Sequence, residues 1–365
     1  MGARTRGLAN NVLSSGKLDA TDAISGTIAA GNIANDSLTN ATTFGSVTAG
    51  VPAVASDPPS PVEGDIWYNT TTGTLRFRTQ LGAWATANDM NTAKFGAQGA
   101  GSQTAGLTFG GESGPVRVAI TESYNGTTWT EVADLSTIRG EGNGAGTQTS
   151  AIAFHGNSNP TTFLTSTETW NGSSWTSSPS TNSGKLQTNV GGGIGEVSTA
   201  ALGAGGRNPG PTYLSATESY NGSSWTEVND LNTARSNAGG AGTNTSAIVA
   251  GGSTPSPTAI SESWNGTSWT EVADLNNAGS ARTASGISNT SAMVIAGVNP
   301  SIPAILSNTE TWNGTAWTEG GDVNVARYDR VGMGTTTAAA VAGGRGPEVA
   351  SAEEWTFGVT TATVG

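Results

Sequence analysis

Ala234-Arg235, Asn237-Ala-Gly-Gly-Ala-Gly242, Ser246-Ala-Ile-Val-Ala-Gly-Gly252, Glu262-Ser-Trp-Asn-Gly266 and Trp269-Thr-Glu-Val272, closing on Asp274-Leu275, form one phrase, and six copies of it fill most of a 365-residue chain. The last aromatic of each copy falls at Trp84, Trp129, Trp175, Trp225, Trp269 and Trp317, in steps of 45, 46, 50, 44 and 48 residues. An acid recurs at Glu122, Glu168, Glu218, Glu262, Glu310 and Glu353, and a base at Lys94, Arg139, Lys185, Arg235, Arg282 and Arg327. A unit of this length cannot bury its own apolar face and must lean on its neighbours, and a drift of a few residues per step is absorbed in one loop.

Helical repeats share this period, but 53 Gly, abundant Thr and Ser, and the scarcity of Leu/Lys/Glu-rich stretches argue against helices. Four-stranded propeller blades have the same length, so the chain is expected to be all-β. The first segment of each unit is glycine-rich (96–101, 140–146, 191–195, 239–242). Glycine weakens a strand unless something must approach it closely, which places these segments innermost. The second is short and apolar, as in Ala151-Ile-Ala-Phe154 and Ala247-Ile-Val-Ala250, and suits a strand buried on both faces. It ends on paired glycine, except at His155-Gly156 and Ala296-Gly297. The single histidine therefore occupies a backbone-turn position.

The third and fourth segments read as a hairpin. Tyr124, Trp170, Tyr220, Trp264 and Trp312 are each followed by Asn-Gly, two small residues and a Trp. Asn-Gly predicts a type I′ turn, whose two central residues both need positive φ. Each hairpin then carries an aromatic on either side of its turn, and all 11 tryptophans fall in this hairpin or its partial copies at Trp67, Trp84 and Trp355. Their phase assigns them to packing. Five Asn-Gly-Ser/Thr sequons coincide with the same turn, which explains them without glycosylation.

In this order, a basic residue, a glycine-rich strand, an apolar strand closing on Gly-Gly, a variable loop, Glu-x-aromatic and Trp resemble the kelch repeat across residues 65–357. Kelch repeats build β-propellers, so the resemblance implies six blades. One departure is that the Asn-Gly hairpins are tighter than the usual kelch spacing between Tyr and Trp, which bears on blade width. The last repeat stops at Glu353-Glu-Trp-Thr-Phe357, whereas residues 65–87 hold a spare Trp-bearing stretch. Ala83-Trp84-Ala85 is expected to supply the missing outer strand, zipping the chain's two ends together and removing open edges. The expected fold is a six-bladed kelch-like β-propeller over residues 61–365, closed by an N-terminal strand and preceded by an extended arm over residues 1–60.

In the arm, Leu18, Ile24, Ile28, Ile33 and Leu38 recur at intervals that fit neither a heptad nor strict alternation. Alone, such a segment reads as a linker; the sharper reading is a stretch that orders against copies of itself or a docking surface. Asp57-Pro-Pro-Ser-Pro61 marks its boundary. Gly64-Asp-Ile-Trp-Tyr-Asn69, then Thr-Thr-Thr-Gly-Thr-Leu75 and Gly82-Ala-Trp84, resembles a motif widespread in tail-fibre and structural proteins of tailed bacteriophages. Ile24-Ser-Gly-Thr-Ile28-Ala-Ala-Gly-Asn-Ile33 resembles phage fibre shafts, which are commonly trimeric. These resemblances imply a virion component assembled in the host cytoplasm, an arm that attaches to other virion proteins, and a homo-oligomer, with a trimer favoured.

Charged residues are 12% of the chain and the net charge is −12, so no phosphate-neutralising face is expected and nucleic acid is disfavoured as a partner. No stretch approaches membrane-spanning length. Cysteine is absent, which excludes disulfide scaffolds and thiolate metal sites. Ser123-Tyr-Asn-Gly-Thr-Thr-Trp129 mimics the sialidase Asp-box, one residue short and with Asn for Asp, and a hairpin turn explains it. Carboxylate pairs could serve glycoside hydrolysis, but acids and bases repeated in every unit point to scaffold pairing. No catalytic residue, cofactor or metal site is therefore expected. Recognition is expected in the variable loops (112–121, 157–167, 207–217, 253–261, 298–309 and 345–352), with Arg117, Phe163, Arg207, Tyr213 and Arg345 as candidate contacts for a host-surface glycan or protein. The leading function is host-surface adhesion by a fibre-like structural protein. The alternatives are a capsid or tail decoration that caps another virion protein, a free interaction module, and a glycan-active enzyme.

Overall fold

The computed structural model describes residues 52–58, 66–186, 193–210, 212–300, 304–346 and 348–364, without side-chain detail at 77–81, 304 and 358–364. Among these residues there is no helix; every regular element is a strand. They fall in two compact units, residues 82–356 and a smaller one made from the residues up to 81 and those from 357 onward. Of the expected arm, all but residues 52–58 lies outside the described residues.

Five of the six repeats each make a four-stranded antiparallel sheet whose strands pair in chain order, and the sixth contributes three strands to a six-stranded sheet. The fourth sheet is typical: Gly239–Thr243, Ser246–Ala250, Ser261–Trp264 and Trp269–Val272. The first, second, third and fifth sheets begin at Gln98–Ser102, Asn143–Thr147, Ile194–Val197 and Thr283–Ser288. In the sixth, Val331–Gly334 and Ala338–Ala342 are followed by Ala352–Val364, and the strand beside that one is Thr74–Ala87, from the other end of the chain. First strands are neighbours in chain order from sheet to sheet, and that of the sixth lies beside that of the first.

Glycine permits this close approach. A Cβ on Gly99 would sit 2.2 Å from Val331 Cγ1, and one on Gly332 2.4 Å from Thr283 Cγ2 and 2.7 Å from the Ala284 carbonyl oxygen, so the glycine backbone of one first strand packs directly on the next. A cavity of about 70 Å³ remains among them, lined by Met333 and by small residues of all six sheets. The second strands are buried after their first residue, as the apolar runs required.

Aromatic pairs lock each hairpin. Trp264 and Trp269 lie with ring centroids 5.2 Å apart, and Tyr124–Trp129, Trp170–Trp175, Tyr220–Trp225 and Trp312–Trp317 repeat the arrangement at 4.6, 5.4, 5.1 and 5.3 Å. The sixth pair is Trp84 with Trp355, at 5.4 Å. Fourth-strand tryptophans also reach the preceding sheet. Trp175, Trp225 and Trp317 donate from Nε1 to Thr121 Oγ1, Thr167 Oγ1 and Ser261 Oγ at 3.1, 3.2 and 3.1 Å, and Trp84 donates to Thr309 Oγ1 at 2.9 Å. Trp129 faces Ala352, which has no hydroxyl, and donates instead to the Asn88 carbonyl at 3.0 Å. Trp269 makes no such bond. Trp84 therefore occupies the outer-strand position expected of it.

The Asn-Gly turns differ from expectation. Tyr124 pairs with Trp129, so the loop has four residues, and of Asn125 and Gly126 only the glycine takes positive φ, at 88°. A type I′ turn is thereby excluded. Asn125 acts as an acceptor, its Oδ1 receiving the N–H groups of Thr127 and Thr128 at 2.9 and 2.8 Å, and the other four turns repeat this.

In the smaller unit, Ala53–Val54 pairs in parallel with Ile66–Asn69, which turns back antiparallel onto the strand starting at Thr74. The Asp-Ile-Trp-Tyr-Asn motif acquires a local reason. Asp57 accepts from Asn69 Nδ2 at 2.9 Å and Trp67 Nε1 at 3.0 Å, and these two bonds, with the Arg76 guanidinium, hold its carboxyl below the usual range.

Candidate functional site: the variable loops and the charges beneath them

Each variable loop is rooted by one β-bridge to the segment entering its own sheet: Glu112 with Phe95, Asn157 with Gly140, Arg207 with Leu186, Ser253 with Ser236, Val298 with Ser280 and Arg345 with Tyr328. Beneath the loops lie the repeated acids and bases. Glu262 is fully buried; it accepts the N–H groups of Asn232 and Thr233 at 2.7 and 3.2 Å and pairs with the Arg235 guanidinium. The pattern recurs for Glu122 with Lys94 at 3.5 Å, Glu168 with Arg139 at 3.2 Å, and Glu218 with Lys185 at 2.9 Å. Glu353 pairs with Arg327 at 3.2 Å and with Arg330 at 2.8 Å. Each acid thus staples the entering segment to the third strand. Burial pulls Lys94 down to about 8 against the pull of Glu122, and pulls Arg139, Arg235 and Arg327 below the ordinary arginine range.

Expected pairing fails at one place. Arg282 forms no ion pair with Glu310; its guanidinium donates to Asn308 Oδ1 at 3.3 Å and the Asn277 carbonyl at 2.6 Å, while Asn308 Nδ2 donates to Glu310 at 3.2 Å. An amide inserted two residues before the acid relays between the charges. No spacing in the repeat announced it.

His155 takes the left-handed conformation (φ 55°) where four other repeats place glycine and the fifth places Ala296, and is fully buried between Phe154, Trp225, Lys185 and Glu218. Its Nε2 lies 3.4 Å from Glu218 Oε2, and burial pulls its pKa down to about 4. Glu218 is held down at about 2 by its bonds to His155 and Lys185, against desolvation. At neutral pH the imidazole is uncharged, and Lys185 is the cation that matches the carboxylate. Because the folded histidine resists a proton that the unfolded chain accepts near 6.5, stability is complete above about 6.5 and falls as pH drops toward 4. His155→Gly, which restores the residue found at Gly110, Gly205, Gly251 and Gly343, is expected to shrink the loss of stability between pH 7 and 4.5 by about 1–3 kcal/mol. Denaturant melts of both proteins at several pH values test this; an unchanged difference between them across that window would exclude it. The comparison cancels Asp329, which works in the opposite direction. Desolvation and Glu141 push Asp329 up to about 7, so its contribution is lost as pH rises from its unfolded value toward 7.

The candidate contacts do not converge on one point. Arg117 donates from Nε to Asn157 Oδ1 at 2.6 Å and lies 3.4 Å from Glu112, whose other oxygen is 3.9 Å from Arg345. Arg345 also stacks 3.7 Å over the Phe95 ring, and Glu348 accepts the Gly114 N–H at 2.9 Å. The loops at 345–348, 112–117 and 157 are thereby fastened to one another. Arg207 bridges Tyr213 within its own loop, and Phe163 packs against Gly184. All five candidates are half-buried; Val116, at 57% exposure, stands out from the loops instead. No spacing in the repeat showed that Glu141 of the second repeat comes close to Glu112 of the first and Asp329 of the sixth, so that desolvation and the Glu141 carboxylate push both of those acids up. Among the described residues no group of three or more His, Asp or Glu is placed to hold a metal ion.

These features define an all-β protein of repeated four-stranded antiparallel sheets, with interlinked loops mounted at equivalent positions over buried charge pairs. No family model matches the chain, and no curated protein matches it.

Proposed function

We propose that residues 82–356 form a six-bladed, kelch-like β-propeller closed by the strand bearing Trp84, and that the chain is a fibre-like structural component of a tailed-phage virion whose propeller adheres to a host surface. The neighbour order of the first strands, returning from the sixth sheet to the first, supports closure, as does Trp84 taking the bond to Thr309 that other fourth-strand tryptophans make. The virion reading rests on the likeness of residues 64–84 and of the arm to phage fibre proteins. The observation that carries adhesion is the mounting of the loops: six segments that differ from repeat to repeat, each rooted at the same bridge. The acids and bases of the repeat are spent on stapling, which leaves loop surface for recognition.

Labelled full-length protein bound to a panel of bacterial cells tests the reading. Val116→Asp combined with Tyr213→Ala is expected to weaken adhesion at least about tenfold without changing thermal stability. Adhesion unchanged by these substitutions, or capture by other virion proteins through the loops, would replace adhesion with decoration.

A further inference from the structure

Glu354 breaks the repeat. The residue after the stapling acid is Ser123, Thr169, Ser219, Ser263 and Thr311 in the other sheets. Only the sixth sheet places a second carboxylate there. Glu354 Oε1 accepts the Tyr124 hydroxyl of the first sheet at 2.8 Å, and that is the side chain's sole hydrogen bond among the described residues. Among the described residues no cation pairs with it, whereas five of the buried acids just described are paired, Glu353 with two arginines. Burial, reinforced by Glu354, holds the Tyr124 hydroxyl above its usual pKa, so it stays a donor.

These two groups line a cavity of about 270 Å³ with Thr86, Ala87, Asn88, Gly126 and Thr127, and Thr86, Asn88 and Thr127 are exposed at its margin. The junction of the third and fourth sheets provides a comparison. Asn229 donates to the Thr267 carbonyl at 2.8 Å there, as Asn88 donates to Thr127 at 2.6 Å here, so the scaffold is the same. That junction carries Ser219 and Trp264 in place of Glu354 and Tyr124. Closing such a junction therefore requires neither the acid nor the phenol.

What the pair adds is acceptor capacity: a carboxylate oxygen that has no partner among the described residues, and a phenol oxygen whose proton is already directed at Glu354. A site of acceptors around one negative charge matches a donor-only cation, and the planar fork of a guanidinium matches a carboxylate best. We infer that this cavity receives the guanidinium of an arginine side chain from a polypeptide partner, with Glu354 as its counter-charge. The site stands independently of the loop reading, since the turn Asn125–Thr128 lies at the far end of the third strand from loop 112–121.

Titration of the full-length protein with N-acetyl-arginine amide, N-acetyl-lysine amide and glucosamine, followed by ligand-observed NMR, tests the inference. The arginine derivative is expected to bind saturably with a Kd on the order of 1 mM. Glu354→Gln, which can still accept the Tyr124 proton, and Glu354→Ser, which installs the residue of the other sheets, should each weaken it roughly tenfold with melting temperature unchanged. Equal or tighter binding of lysine amide or glucosamine, binding unaffected by both substitutions, no saturable binding up to about 20 mM, or a fall in melting temperature with binding intact would each overturn it.

Discussion

Trp84→Ala is expected to destabilise the protein by about 3–5 kcal/mol, the range for emptying a buried tryptophan site, and to lower Tm by roughly 10 °C. Trp84 is almost fully buried, pairs with Trp355 at 5.4 Å and donates to Thr309 at 2.9 Å. Its carbonyl accepts Asn324 Nδ2 at 3.2 Å, as the Trp129 and Trp269 carbonyls accept Asn91 and Asn232, both also at 3.2 Å. The Trp355 carbonyl in turn receives Gln103 Nε2 of the first sheet at 2.8 Å. The loss thus falls where the strand from one end of the chain meets that from the other. Trp84→Phe keeps a ring against Trp355 and removes only the N–H, so about 1 kcal/mol is expected. Calorimetry of both variants measures the difference. A Trp84→Ala protein that melts with the parent would mean that the N-terminal strand does not complete the sixth sheet.

Glu262→Ala should cost a comparable 3–5 kcal/mol, because it strands a buried guanidinium and two backbone N–H groups at once. Arg235 is fully buried, with its second nitrogen on the Ile260 carbonyl at 2.6 Å, so it has no water to turn to. The informative control is Glu310→Ala. There Arg282 is already bonded to Asn308 and Asn277, so the backbone N–H groups of Asn276 and Asn277 and the side-chain amides of Asn276 and Asn308 lose their acceptor, but no charge does. About 1–3 kcal/mol is expected. Chemical denaturation reads both, and equal losses for the two substitutions would show that the charge partner contributes nothing to the staple. A glycan-cleaving activity abolished by Glu262→Ala with stability intact would reverse the assignment altogether.

Strand content, the order of strands within a sheet, the burial of the second strands and the position of Trp84 were all legible in the residues, because each depends on local periodicity and on a phase that repeats. The pairing of acid and base was legible for the same reason: both recur at fixed offsets. The Asn-Gly turns were misread. Two residues fix a turn type only when the strands pair immediately beside them, and here the pairing of Tyr124 with Trp129 leaves four residues, in which Asn125 works as an acceptor. The relay through Asn308 was invisible because it depends on side-chain reach inside one repeat.

By itself, then, the amino-acid order determined a chain of like units, all of β structure, with a spare strand at one end and a gap at the other. Tertiary structure alone decided which unlike residues meet: Arg117 and Arg345 on Glu112, His155 on Glu218, and Tyr124 on Glu354. Each of these contacts joins residues that are not the same position in successive units. Periodicity carries information only about positions that repeat, so such meetings are set by the lateral register of one sheet against the next.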